Sequence, residues 1–118
     1  MEQLIFHDWL INYIKNVLKN KYKDIKANIG KKEFEYKGHY PDIILQSGGF
    51  TIGIVEVITK TKINNEEIER WKQLAMLDTK LILLIPEHLK KKIADILWKE
   101  RLMEKVSIAT YEIKLKGL

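Results

Sequence analysis

The run Thr51–Ile58, TIGIVEVI, constrains the chain more than any other stretch. It is apolar and β-branched at nearly every position and does not alternate, the pattern of a strand covered on both faces. A sheet covered on both faces needs helices packed against it. One residue breaks the run: Glu56. Burying an unpaired carboxylate costs several kcal/mol, so Glu56 needs a cation, a hydrogen-bond partner or a raised pKa. The plain reading is a glutamate bridged to a lysine at the sheet edge.

The surrounding segments read as alternating helices and strands. From roughly Leu4 to Leu18, Phe6, Trp9, Leu10, Tyr13, Ile14 and Val17 recur at helical spacing, with Asp8, Asn12 and Lys15 opposite. Short extended stretches follow around Ile25–Ile29 and Glu33–Tyr36. His39–Gln46 and Phe50–Thr59 are strand-like and joined by Ser47, Gly48 and Gly49, which predicts a hairpin. Asn64 is a good N-cap for a second helix, with Glu67 placed for a capping box and Ile63 and Ile68 for a hydrophobic staple. Leu81–Ile85 is a buried strand stopped by Pro86. A third helix follows, with Leu89, Ile93 and Leu97 inward, then a strand near Val106–Ile113. The order is helix, two or three strands, helix, strand, helix, strand. It predicts an α/β fold: a mixed central sheet flanked by helices, in one domain over residues 1–118.

Asp42 follows Pro41 at the start of the first hairpin strand, and the hairpin carries it toward Glu56. Residues directly opposite on antiparallel strands share a face. A two-residue Gly48-Gly49 turn pairs Asp42 with Val55 and puts Glu56 on the other face. Asp42 and Glu56 converge only if the loop is odd-numbered or a bulge corrects the register, and Pro41 is a residue type tolerated at bulges. Two converging carboxylates with open coordination positions bind a hard divalent cation such as Mg²⁺, which activates water and takes up charge on a phosphoryl group.

Pro41-Asp42, the hairpin, and Ile54-Val55-Glu56-Val57 resemble the motif of the PD-(D/E)XK nuclease superfamily, and the order of elements along most of the chain is similar too. The resemblance implies a restriction-endonuclease-like core, order αβββαβαβ, and a metal-dependent DNA endonuclease. It further implies Mg²⁺ (or Mn²⁺) held by Asp42, Glu56 and the backbone carbonyl of Val57, and a homodimer. The motif also places a lysine two residues after the glutamate, where this chain has Ile58. Two explanations stand. Lys60 projects from the same strand face, roughly 7 Å beyond the motif position, and its long stem can reach back as a catalytic cation; Lys62 or Lys72 substitutes less directly. Otherwise the site has decayed, leaving a nucleic-acid-binding or assembly module.

Charge agrees with a polyanionic partner. The chain carries +5, and its basic residues are nearly all lysine, the only arginines being Arg70 and Arg101. Contact with phosphate or shape is therefore expected rather than reading of guanine edges. Lys19, Lys21, Lys23, Lys26, Lys31 and Lys32 cluster after the first helix and are the candidate DNA-phosphate contacts. Lys90-Lys91-Lys92 reads as a solvated face, and Trp9, Trp71 and Trp98 read as core. His7-Asp8, the terminal Glu2 and His39 are weaker site candidates. With no cysteine, thiolate catalysis, disulfides and cysteine-ligated metals are excluded. No apolar run approaches the roughly 20 residues of a membrane span, and MEQLIFHDWL lacks the features of a secretory signal, so a cytoplasmic protein is expected. Gly-rich phosphate loops, GxSxG and HExxH are absent from the sequence.

Overall fold

The computed structural model describes the backbone of residues 2–117 and the side chains of residues 5–117. Helix α1 (Glu2–Leu18) leads into β1 (Asp24–Ala27), β2 (Ile43–Ser47) and β3 (Phe50–Val57). Helix α2 (Asn65–Ala75), β4 (Lys80–Pro86), a 3-10 turn at Glu87–Leu89, α3 (Lys90–Lys99) and β5 (Val106–Tyr111) complete the chain. The five strands form one sheet in sequence order. β1, β2 and β3 pair antiparallel; β3, β4 and β5 pair parallel. The α/β architecture with a mixed sheet is therefore as the sequence implied. Glu33–Tyr36 differs, forming no strand beyond a single bridge from Tyr36 to His39. Among the described residues no helix is long and apolar enough to cross a membrane.

Strand alternation divides the sheet into two apolar faces. Ile43, Leu45, Val55 and Val57 face α1, which buries Leu10 and Ile11 against them. Ile44, Ile54, Leu81, Leu83 and Ile85 face α2 and α3, where Trp71, Leu74, Ile93 and Leu97 close the other side. Strand β3 lies at the centre, which is why its sequence is apolar on both faces. Asn64 caps α2, its side chain accepting from the Glu67 amide at 2.9 Å. Glu67 Oε1 is buried with no hydrogen-bond partner.

Helix α1 turns a different arc to the sheet than its largest side chains suggest. Trp9, Tyr13 and Val17 lie in solvent, while Leu10, Ile11, Ile14 and Leu18 pack inward. Trp98 on α3 is exposed as well, so of the three tryptophans only Trp71 is core. The helix is apolar around most of its circumference, and periodicity alone does not choose between two apolar arcs.

The segment between β1 and β2 is organised by one side chain. Asn28 Nδ2 donates to the carbonyls of Phe34 (2.9 Å) and Pro41 (2.7 Å), and its Oδ1 accepts from the amides of Glu33 (2.8 Å) and Phe34 (2.7 Å). Every strong hydrogen-bonding position of that amide is used. The loop it ties down delivers Pro41-Asp42 to the sheet. Asn28→Asp keeps the shape but replaces the nitrogen that carries both N–H donors with one oxygen that repels the two carbonyls, and is expected to cost about 2–3 kcal/mol in urea denaturation. An unchanged midpoint would mean that the loop is held by its other ties, Tyr36 and Lys37 to Asp78.

Candidate metal centre

The hairpin resolves the register question through a bulge. Gly48 and Gly49 form a two-residue turn with φ of +59° and +83°, the left-handed pair that a tight hairpin favours. Gln46 and Ser47 pair with Thr51 and Phe50, but Leu45, Ile44 and Ile43 pair with Gly53, Ile54 and Val55, leaving Ile52 as the extra residue. That one-residue shift sets Asp42, one position beyond Ile43, opposite Glu56. The correction lies near the hairpin tip and not at Pro41. Its consequence is direct contact: the Asp42 amide donates to Glu56 Oε2 at 2.9 Å.

Glu56 is only 5% exposed, and its cation comes from α2. Arg70 Nε donates to Glu56 Oε1 at 2.6 Å, and Arg70 Nη2 donates to the Tyr40 carbonyl at 3.0 Å. One guanidinium thus ties the buried carboxylate to the segment before β2 that bears Asp42. Burial, helped by the nearby charge of Asp42, still pushes Glu56 up to about 7, although Arg70 pulls in the opposite direction. A carboxylate titrating near neutrality is suited to moving protons.

Asp42 looks the other way, toward α1. Its Oδ2 accepts from the Val57 amide at 2.7 Å and lies 3.2 Å from His7 Nε2. The same Nε2 is 3.0 Å from the Val57 carbonyl oxygen. Both partners are acceptors, so Nε2 carries the hydrogen that sits between them. The Asp42 hydrogen bond raises the His7 pKa above its ordinary 6.5, against the opposing effect of burial. His7 is thus drawn into the site through the buried arc of α1, a placement its position at the edge of the apolar side understated. The Glu2 side chain lies outside the described residues.

The other candidates fall as follows. Ile58 is 7% exposed and packs in the core beneath α2 and α3. Its amide donates to the Leu84 carbonyl and its own carbonyl accepts from Tyr111, both at 2.8 Å. Lys60 lies past the end of β3, which stops at Val57, with Nζ 3.7 Å from Glu67 Oε1. Strand alternation therefore does not carry from Glu56 to Lys60. Lys72 is engaged by Glu69 and Glu100, and Lys92 donates to the Thr61 carbonyl. His39 lies in the turn with Tyr36. Lys19, Lys21, Lys23, Lys31 and Lys32 are all exposed; Lys32 Nζ lies 5.6 Å from the centre of the Tyr40 ring, beside the residue that Arg70 grips.

The donor set can be tested for fit to a cation. Among the described residues no cluster of three or more His, Asp or Glu side chains is suited to hold a metal. The convergent donors are two side chains, His7 and Asp42, and one backbone carbonyl, that of Val57. The separations of 3.2 and 3.0 Å measured from Nε2 are close to the edge of an octahedron with metal–ligand bonds of about 2.1 Å, which is about 3.0 Å. A magnesium-type ion keeps several waters and takes few protein ligands, so a set this small fits. An imidazole among oxygens shifts preference from Mg²⁺ toward Mn²⁺. Glu56 borders this corner with both oxygens already hydrogen-bonded.

Comparison with family models, with curated proteins and with solved structures finds no match to this chain.

Proposed function

We propose that the chain is a metal-dependent phosphodiesterase acting on DNA, an endonuclease of the PD-(D/E)XK kind with Mn²⁺ or Mg²⁺ as cofactor. The observation that carries this reading is the bulged register that sets Asp42 against Glu56 while His7 Nε2 and the Val57 carbonyl converge on the Asp42 side. His7, Asp42 and the Val57 carbonyl would hold a divalent cation, with Glu56 alongside, and the ion would supply a polarised water and neutralise phosphoryl charge when bound. As a water oxygen bonds to phosphorus and the phosphorus–oxygen ester bond breaks, Glu56, titrating at about 7, takes up the proton that the water loses, and the leaving oxygen is protonated by solvent. Lys31 and Lys32, on the loop leading to Asp42, hold the phosphate backbone, with Lys19, Lys21 and Lys23 extending the track.

Two cations compete for the part the motif gives to lysine. Arg70 already grips Glu56, whereas Lys60 is paired with Glu67. Cleavage lost in Lys60→Ala but kept in Arg70→Lys assigns the role to Lys60, and the opposite pattern assigns it to Arg70.

A second reading has its own support: a module that binds nucleic acid without cutting it. It is favoured by the core packing of Ile58 and by the closed Glu56–Arg70 pair. Cleavage of linear, nicked, branched and single-stranded DNA with Mn²⁺, Mg²⁺ or EDTA separates the two. Metal-dependent cutting that disappears in Glu56→Ala supports the nuclease. Steeply salt-dependent binding with no cutting at any protein concentration supports the module, and absence of both defeats the nucleic-acid reading altogether.

A further inference from the structure

With Leu10 and Ile11 turned to the sheet, α1 presents a second apolar row to solvent. Ile5, Trp9, Tyr13 and Val17 are 66%, 53%, 55% and 57% exposed. Spaced four apart, they stand one above another and form a continuous ridge roughly 18 Å long. The ring of Phe6 lies 6.0 Å from that of Trp9, and Trp9 lies 5.6 Å from Tyr13, each pair inclined at 22°. The aromatic part is therefore already stacked and ordered. Single exposed apolar side chains need no explanation, but a contiguous row of this length does.

The order of the row selects its occupant. Aliphatic, aromatic, aromatic, aliphatic reads the same from either end, with its midpoint level with Ile11. A two-fold interface requires a self-complementary surface of this kind. We infer that the ridge is the contact between two copies of this chain, packed antiparallel with Trp9 of one against Tyr13 of the other. Residues four apart make the ridge that seats in a neighbouring helix groove at about 50°, with the two aromatics at the crossing. Charge opposes pairing in general but not at this row. Each copy carries +5 and repels the other, yet the ridge contains no charged side chain and is bordered by Asn12 and Asn16. Two copies meet there without bringing lysines together.

The area sets the strength. The exposed parts of these four side chains amount to on the order of 400 Å² per copy, about half of the ~800 Å² each partner gives to a standard interface. The dimer is therefore reversible and concentration-dependent. The ridge faces away from the arc of α1 that carries His7, so pairing leaves the Asp42–Glu56 corner free and does not depend on what that corner does.

Sedimentation velocity of the full chain over a concentration series tests this. The wild type is expected to double its mass as concentration rises. The double variant Trp9→Glu/Tyr13→Glu stays at the mass of one chain throughout, and so does the single variant Trp9→Arg, while Trp98→Glu, altered at an exposed tryptophan on α3, dimerises like wild type. Circular dichroism verifies that each variant is folded. A wild type that remains a single chain at the highest concentration overturns the inference, as does a dimer that survives the ridge substitutions. A monomeric wild type that floats with anionic lipid vesicles also overturns it, and assigns the ridge to a membrane surface.

Discussion

Replacing Arg70 with methionine is expected to cost about 3 kcal/mol of stability at pH 8 and only about 1 kcal/mol at pH 5. At pH 8 the substitution leaves an ionised Glu56 buried without its cation. Removing one member of a buried pair usually costs more, but Arg70 is partly exposed, so water softens the loss. At pH 5 Glu56 holds a proton, and the variant loses little beyond a neutral hydrogen bond. The difference therefore widens as pH rises. Arg70→Lys recovers only part of it, because an ammonium does not reproduce the fork that reaches both Glu56 and the Tyr40 carbonyl. Urea melts at the two pH values measure both variants. Equal costs at pH 5 and pH 8 would mean that Arg70 acts through packing rather than through the charge of Glu56.

The wild type itself is expected to be more stable in mild acid than in mild base. Glu56 titrates at about 7 in the folded chain against an ordinary value of 4.5. Between those values the folded state binds more protons than the unfolded one, so stability falls as pH rises, by about 3 kcal/mol in all. His7 acts in the same direction. Its raised pKa gives stability that is fully present below 6.5 and is lost as pH climbs through the folded value. Glu56→Gln removes the larger part of this dependence. It should be at least as stable as wild type at pH 8 while losing metal-dependent activity, the signature of a carboxylate kept for function at the expense of stability. Urea midpoints at pH 5 and pH 8 decide this: a wild type with equal midpoints contradicts the buried-carboxylate reading.

The fold was legible in the sequence to the extent that its signals were local. The apolar run through Ile54–Val57, the Asn64 cap, and Pro86 closing the LILLI strand each act through their immediate neighbours, and the elements formed there. The α1 orientation was not legible, because Trp9, Tyr13 and Val17 outweigh Leu10 and Ile11 in size while lying on the arc the sheet does not use. In the candidate site, Asp42 and Glu56 stood out by residue type, but their juxtaposition hung on a bulge at Ile52 that no turn residue announces. Arg70 was missed as the partner of Glu56, although its being one of two arginines beside many lysines was a usable signal: a guanidinium can bond a buried carboxylate and a neighbouring carbonyl at once. His7 was underweighted because its role depends on which arc of α1 is buried. Asn28 carried no signal, since its four hydrogen bonds come from a loop without regular structure.

The measurement closest to the central claim is a calorimetric titration of the full chain with Mn²⁺, comparing wild type with Asp42→Asn. A single saturating site is expected in the wild type, with proton release that grows as pH falls and more His7 is doubly protonated, because metal binding at Nε2 takes the neutral imidazole, whose remaining hydrogen sits on Nδ1. The same titration should show no binding in Asp42→Asn while that variant keeps the wild-type circular dichroism spectrum. Failure of the wild type to bind Mn²⁺, or binding that survives Asp42→Asn unchanged, would contradict the assignment of this corner as a metal centre.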